Sequence, residues 1–193
     1  MSQEMTTSRL EAFSDGVIAI VVTIMVLELH APAQPTLAAL GKVSPQLISY
    51  ALSFLVVAIM WVNHHHMIHA VHKVTAALLW SNLNLLFWMS LVPFVTDYLG
   101  KNHNEPLAVA LYGIDLSLCS VAFIILRMEL VRQSRHDSAM ADYHSKVQQK
   151  NLLSAGLYLA SVPLAYVSIR ASFAIFVFIA ASYFLPEKRL SGE

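Results

Sequence analysis

The chain has 193 residues, of which 57% are hydrophobic and only 12% charged. Soluble domains carry about a quarter charged residues, so this balance argues against a soluble fold and for several membrane spans. Twelve basic and twelve acidic side chains cancel, which leaves no net charge to attract nucleic acid, and the single cysteine, Cys119, has no partner in the chain for a disulfide.

A crossing of the hydrocarbon layer needs about twenty apolar residues in helical form, because lipid offers no partners to backbone polar groups. Six segments qualify, which predicts an all-α integral membrane protein with one domain over residues 1–193. The first is expected over about 8–29, followed by a connection in which Pro32, Pro35 and Gly41 break helical structure. Ser44 and Pro45 read as a cap and a first-turn proline. They open a second helix over about 45–69 that ends in the run Trp61-Val62-Asn63-His64-His65-His66. A short connection leads to a third helix over about 74–99, which carries Trp80, Asn82, Asn84, Trp88 and Pro93. The fourth, over about 106–131, begins at Pro106 and holds Asp115 within its apolar part. A charged connection over 133–149, with some helix continuing into it, precedes the fifth and sixth helices, over about 147–169 and 171–185, which meet in a turn near Arg170.

Basic residues prefer the cytoplasmic side. With both termini cytoplasmic, six spans put Arg9, Lys73, Arg127, Arg132, Arg135, Lys146, Lys150, Lys188 and Arg189 inside and only Lys42, Lys101 and Arg170 outside. An odd number of spans divides these charges less cleanly. The run from Gly16 to Leu29 followed by Ala31-Pro32-Ala33 imitates a secretory leader, but Glu4, Glu11 and Asp15 are out of place in one. The sequence contains no convincing internal repeat, so a conduction path on a symmetry axis requires several copies of the chain.

The stretch Arg9-Leu10-Glu11-Ala12-Phe13-Ser14-Asp15-Gly16 sets charged and polar groups against the aliphatic run that follows. Charge at the mouth of a membrane helix is costly without a partner or a task. Arginine, three residues, Phe-Ser-Asp-Gly and then an aliphatic helix containing a threonine resembles the first-helix signature of the bacterial and endolysosomal potassium channels that lack the Thr-Val-Gly-Tyr-Gly filter. The resemblance implies a bacterial member: a potassium-permeable cation channel, weakly to moderately selective, in the plasma membrane. It also implies a homotetramer, since animal members carry two six-helix units and dimerise, and first helices that surround the axis. The aliphatic residue five positions after the motif aspartate, here Ile20, then forms the tightest ring, with Thr23 and Leu27 in the places that follow. Helical geometry puts Ile24 on the same stripe, which spans about 10 Å of axis from Ile20 to Leu27. Ser14 and Asp15 lie about 120° and 140° around from Ile20, toward the subunit interior. Trp61, His64, His65, Asn82 and Asn84 are their candidate partners, as the resemblance suggests. Arg9 either lines the inner mouth or is redirected by a bend at Gly16.

His64, His65, His66, His69 and His72 invite a metal reading, because His65 and His69 share a helical face, yet no acidic residue is interleaved with them. Structural bonding to neighbouring helices is the preferred reading, with no metal and no cofactor other than potassium as permeant ion. Asp115 is expected to be a hydrogen-bonded structural acid. The competing function is a proton- or metal-coupled secondary transporter using Asp15, Asp115 and the histidines; it calls for broken helices and an internal repeat. A zinc enzyme would need further acidic ligands.

Overall fold

The computed structural model describes residues 6–68, 74–133 and 138–183, with 133 and 138–147 described by backbone alone. His69, His72 and Lys73 lie outside the described residues. All regular structure among them is helical. Four helices are prominent: α1 (Thr7–Leu27), α3 (Ser44–Ile68), α6 (Pro106–Gln133) and α7 (Ser138–Ala165). Four shorter ones accompany them among the described residues: α2 (Leu37–Lys42), α4 (Ala76–Met89), α5 (Val92–Lys101) and α8 (Ile169–Ser182). Among the described residues, four stretches are long and apolar enough to cross a membrane: Thr7–Leu27, Ser44–Ile68, Ala76–Lys101 and Pro106–Arg132.

Several boundaries differ from those expected of the sequence, each for a local reason. The third segment is interrupted at Ser90 and Leu91, where Pro93 has no N–H for the Met89 carbonyl and its ring crowds that turn. Leu91 N–H bonds instead to the Trp88 carbonyl at 3.0 Å, a tightened turn that joins α4 to α5. The connection after α1 holds the short helix α2, capped by Thr36, whose hydroxyl accepts from Ala39 N–H. Ser44 does not cap α3; its hydroxyl bonds back to the Gly41 carbonyl at 2.7 Å. The charged stretch after α6 is largely helical, since α7 already begins at Ser138. Arg170 lies in the first turn of α8, past the α7–α8 turn.

The centre of the bundle is α6, which packs against α4, α5, α7 and α8. Of its apolar stretch 72% is buried, against 28% for α1, so α1 is a peripheral helix in a single chain. At Gly113 a β-carbon would lie 2.5 Å from Ser161 Oγ; the missing side chain lets α6 and α7 approach closely. A buried polar contact ties α3, α5 and α6: Thr96 donates to Ser53 Oγ at 2.7 Å, which lies 3.0 Å from the Tyr112 hydroxyl. Arg127, assigned by sequence to the cytoplasmic end, is 2% exposed, with its guanidinium 5.9 Å from the Phe123 ring. Asp115 is 5% exposed, and neither of its carboxylate oxygens has a hydrogen bond among the described residues, contrary to the hydrogen-bonded acid expected.

Candidate functional site at the first helix

Helix α1 packs chiefly on α3, α4 and α5. Its buried side reads Leu10, Ser14, Ile18, Val21 and Met25, the three- and four-residue spacing of one helix face. A serine in such a row needs a partner, because a buried hydroxyl without one is unfavourable. Ser14, fully buried, donates to the Leu10 carbonyl at 2.9 Å and accepts from Asn82 Nδ2 at 2.9 Å. The Asn82 carbonyl oxygen in turn lies 2.7 Å from His64 Nε2. An amide oxygen only accepts, so Nε2 carries the proton and the imidazole is a donor here. One buried chain of hydrogen bonds thus joins α1, α4 and α3.

Two further contacts run along the rim of the same interface. Trp61 donates from Nε1 to Asp15 Oδ1 at 2.8 Å, and His65 Nδ1 stands 2.9 Å from Glu11 Oε1. The Trp61 and His65 rings stack on one another, with centroids 6.0 Å apart. Residues 11, 14 and 15 on α1 and 61, 64 and 65 on α3 have the same spacing of three and four, and they meet in antiparallel order. Glu11 faces His65, Asp15 faces Trp61, and Ser14 reaches His64 through Asn82.

Trp61, His64, His65 and Asn82, named from sequence, are brought together here. Asn84, named with them, takes no part in this network: two positions along a helix rotate its side chain by about 200°, and it is half-buried elsewhere on α4. Glu11 was missed. Its signal was present, since it stands four residues before Asp15 as Trp61 stands four before His65. Among the described residues no three His, Cys, Asp or Glu side chains converge as a metal site.

The opposite side of α1 is uncovered. Arg9, Phe13, Gly16, Ile20, Thr23, Ile24 and Leu27 are all exposed, with Ile20 58% and Leu27 74% exposed. By the 100° step these seven fall within about 60° of Ile20. The helix runs uninterrupted through Gly16, which keeps Arg9 on this side. A β-carbon at Gly16 would meet nothing within 4 Å, so no packing inside the chain requires glycine there. Thr23 donates its hydroxyl proton to the Ile20 carbonyl at 2.8 Å, which leaves its oxygen lone pairs as acceptors on an exposed face. Val177 and Phe178, among the most exposed residues of α8, are apolar; the α1 stripe mixes an arginine, a glycine and a threonine into its apolar run.

Residues 9–93 match the family described as endosomal/lysosomal potassium channel TMEM175. A potassium channel of Chryseobacterium sp. (strain P1-3) is 38% identical over 187 residues, 96% of each chain. A potassium channel of Chamaesiphon minutus is 31% identical, covering 94% of this chain and 95% of its own. The crystal structure of a lysosomal potassium-selective channel TMEM175 homolog from Chamaesiphon minutus superposes with a TM-score of 0.72 at 27% identity, covering 92% of this chain and 95% of that one.

Proposed function

The chain belongs to the TMEM175 family, and from that membership and the two-sided character of α1 we propose that it is a potassium channel whose pore is lined by the free face of its first helix. The observation that carries this reading is the contrast across α1. The side bearing Ser14 and Asp15 is tied to α3 and α4, so the side bearing Ile20 and Thr23 is held outward in a fixed direction.

A single peripheral helix cannot enclose a path, so copies of the chain surround the axis, and four is the number that the family layout implies. The chicken endosomal/lysosomal proton channel TMEM175 supports this layout, since this chain matches only 35% of that longer protein. Six crossings follow if α4 and α5 act as one span and α7 and α8 as the last two; the basic residues then favour cytoplasmic termini in a bacterial plasma membrane. A ring of Ile20 side chains forms a narrow, poorly wetted constriction of the kind that gates by dewetting. Thr23 oxygens offer ligands to a partly dehydrated cation, with Ile24 and Leu27 continuing the wall. This wall has no ring of carbonyls or carboxylates, so selectivity for potassium over sodium is weak to moderate. Glycine at 16 suits close approach of a neighbouring copy, since nothing in its own chain demands it.

The test is passive flux in vesicles containing the purified protein, with native mass spectrometry of the same sample. Potassium, rubidium and caesium should pass and sodium should pass less, from an assembly of four chains. Correctly assembled protein with no potassium flux above empty vesicles overturns the reading.

A further inference from the structure

Where α7 turns into α8, residues 165–170 form one side of an open cleft of about 400 Å³, and Asn104 and Pro106, at the connection from α5 to α6, form the other. That volume lies in the range of small-molecule sites, about 300–1,000 Å³. Pro106 opens a stretch long and apolar enough to cross a membrane, so the cleft stands at the membrane boundary, the level of the lipid headgroups. Tyr166 and Val167 are 63% and 84% exposed there, and tyrosine is favoured at that level because its ring is apolar and its hydroxyl polar.

The polar side chains of the cleft are those of Asn104, Tyr166, Ser168 and Arg170. Each has a proton to donate, and none is acidic. Ser168 Oγ already accepts from Ala171 N–H at 3.3 Å, which leaves its own proton for another partner. Arg170 is exposed and forms no ion pair among the described residues. Lys101, at the end of α5, is by contrast paired with Asp97, and Glu105, next to Asn104 in sequence, does not line the cleft. Ile169 and Arg170 also begin α8, and the first N–H groups of a helix lack intrahelical partners and favour anions. Donors around one positive charge, with no carboxylate among them, suit an anion that only accepts. At headgroup level that anion is a lipid phosphodiester, whose paired oxygens match the guanidinium fork. We propose that the cleft is a binding site for the phosphate of an anionic lipid, held by Arg170, with the acyl chains running past Tyr166 and Val167. Free inorganic phosphate shares the oxygen chemistry but has no chain to cover Val167.

The experiment is native mass spectrometry of the full-length protein titrated with phosphatidylglycerol, and in parallel with diacylglycerol, which has the same chains and no phosphate. Phosphatidylglycerol should be retained and diacylglycerol should not. Arg170→Gln should lower retention about tenfold, the scale of one lost hydrogen bond to a charged group. Arg170→Lys keeps the charge without the fork and should fall between the two. Both variants alter an exposed side chain, so the protein remains folded. Lys42→Gln removes another exposed cation that does not line the cleft and should leave retention unchanged. Equal retention of the two lipids, no loss in Arg170→Gln, or an equal loss in Lys42→Gln overturns the proposal. Displacement of phosphatidylglycerol from the wild-type protein by millimolar inorganic phosphate assigns the cleft to the free anion and overturns the lipid assignment. The readout does not depend on conduction, so its failure is separable from failure of the channel reading.

Discussion

The two faces of α1 contain similar aliphatic residues but differ in what surrounds their polar groups. On one, Glu11, Ser14 and Asp15 each meet a named side chain of α3 or α4. On the other, Arg9 and Thr23 are exposed among Phe13, Ile20, Ile24 and Leu27. Lipid is as apolar as leucine, so burial of aliphatic groups does little to orient a membrane helix, while a polar group facing hydrocarbon is costly. The orientation of α1 is therefore set by its hydrogen bonds, and the face proposed to line the pore is the one left over.

The largest way to break that contrast is to remove the central bond. Asn82→Leu keeps the approximate volume but leaves the buried His64 Nε2–H without its acceptor, at a cost of about 1–3 kcal/mol. The assembled channel should melt at lower temperature in size-exclusion assays, and conduction should fall with it. On the other face, Ile20→Asn keeps the bulk and adds polar atoms. If it lowers the dewetting barrier by about 1.4 kcal/mol, potassium flux rises about tenfold, with no loss of assembled protein. Thr23→Val should leave flux measurable and move the potassium–sodium reversal potential, because it deletes a possible ligand. The smallest effect is expected for His65→Gln. Its contact with Glu11 is partly exposed, the two side chains being 42% and 21% accessible, and such pairs contribute less than about 1 kcal/mol. A large loss of assembly in this variant would move the weight of the motif from the buried chain to its rim.

How much of this was legible depended on whether a residue's role is local. Apolar runs and the breaks at Pro32 and Pro35 are local, and composition sufficed to read a helical membrane protein. The effect of Pro93 was also readable, since a proline disturbs the turn before it, although a continuous segment was expected. The choice between Asn82 and Asn84 was not local: each lies on a different side of α4, and only the position of α1 selects Asn82. Glu11 was taken as a charge unsuited to a leader, and its match in spacing to Trp61 and His65 went unused. Asp115 was misjudged for a related reason. Its surroundings come from helices distant in sequence, and α6 is the buried centre of the bundle.

The central claim is that the exposed side of α1 faces ions, while equally exposed residues elsewhere face lipid. The most direct measurement places single cysteines at Leu27 and at Phe178, 74% and 62% exposed in one chain, in a Cys119→Ser background, and follows potassium current during addition of a charged, water-soluble thiol reagent. Current through Leu27→Cys channels should be blocked or sharply altered by modification, and Phe178→Cys channels should be indifferent. Indifference at Leu27 with modification at Phe178 would contradict the account and place the pore on another face of the bundle.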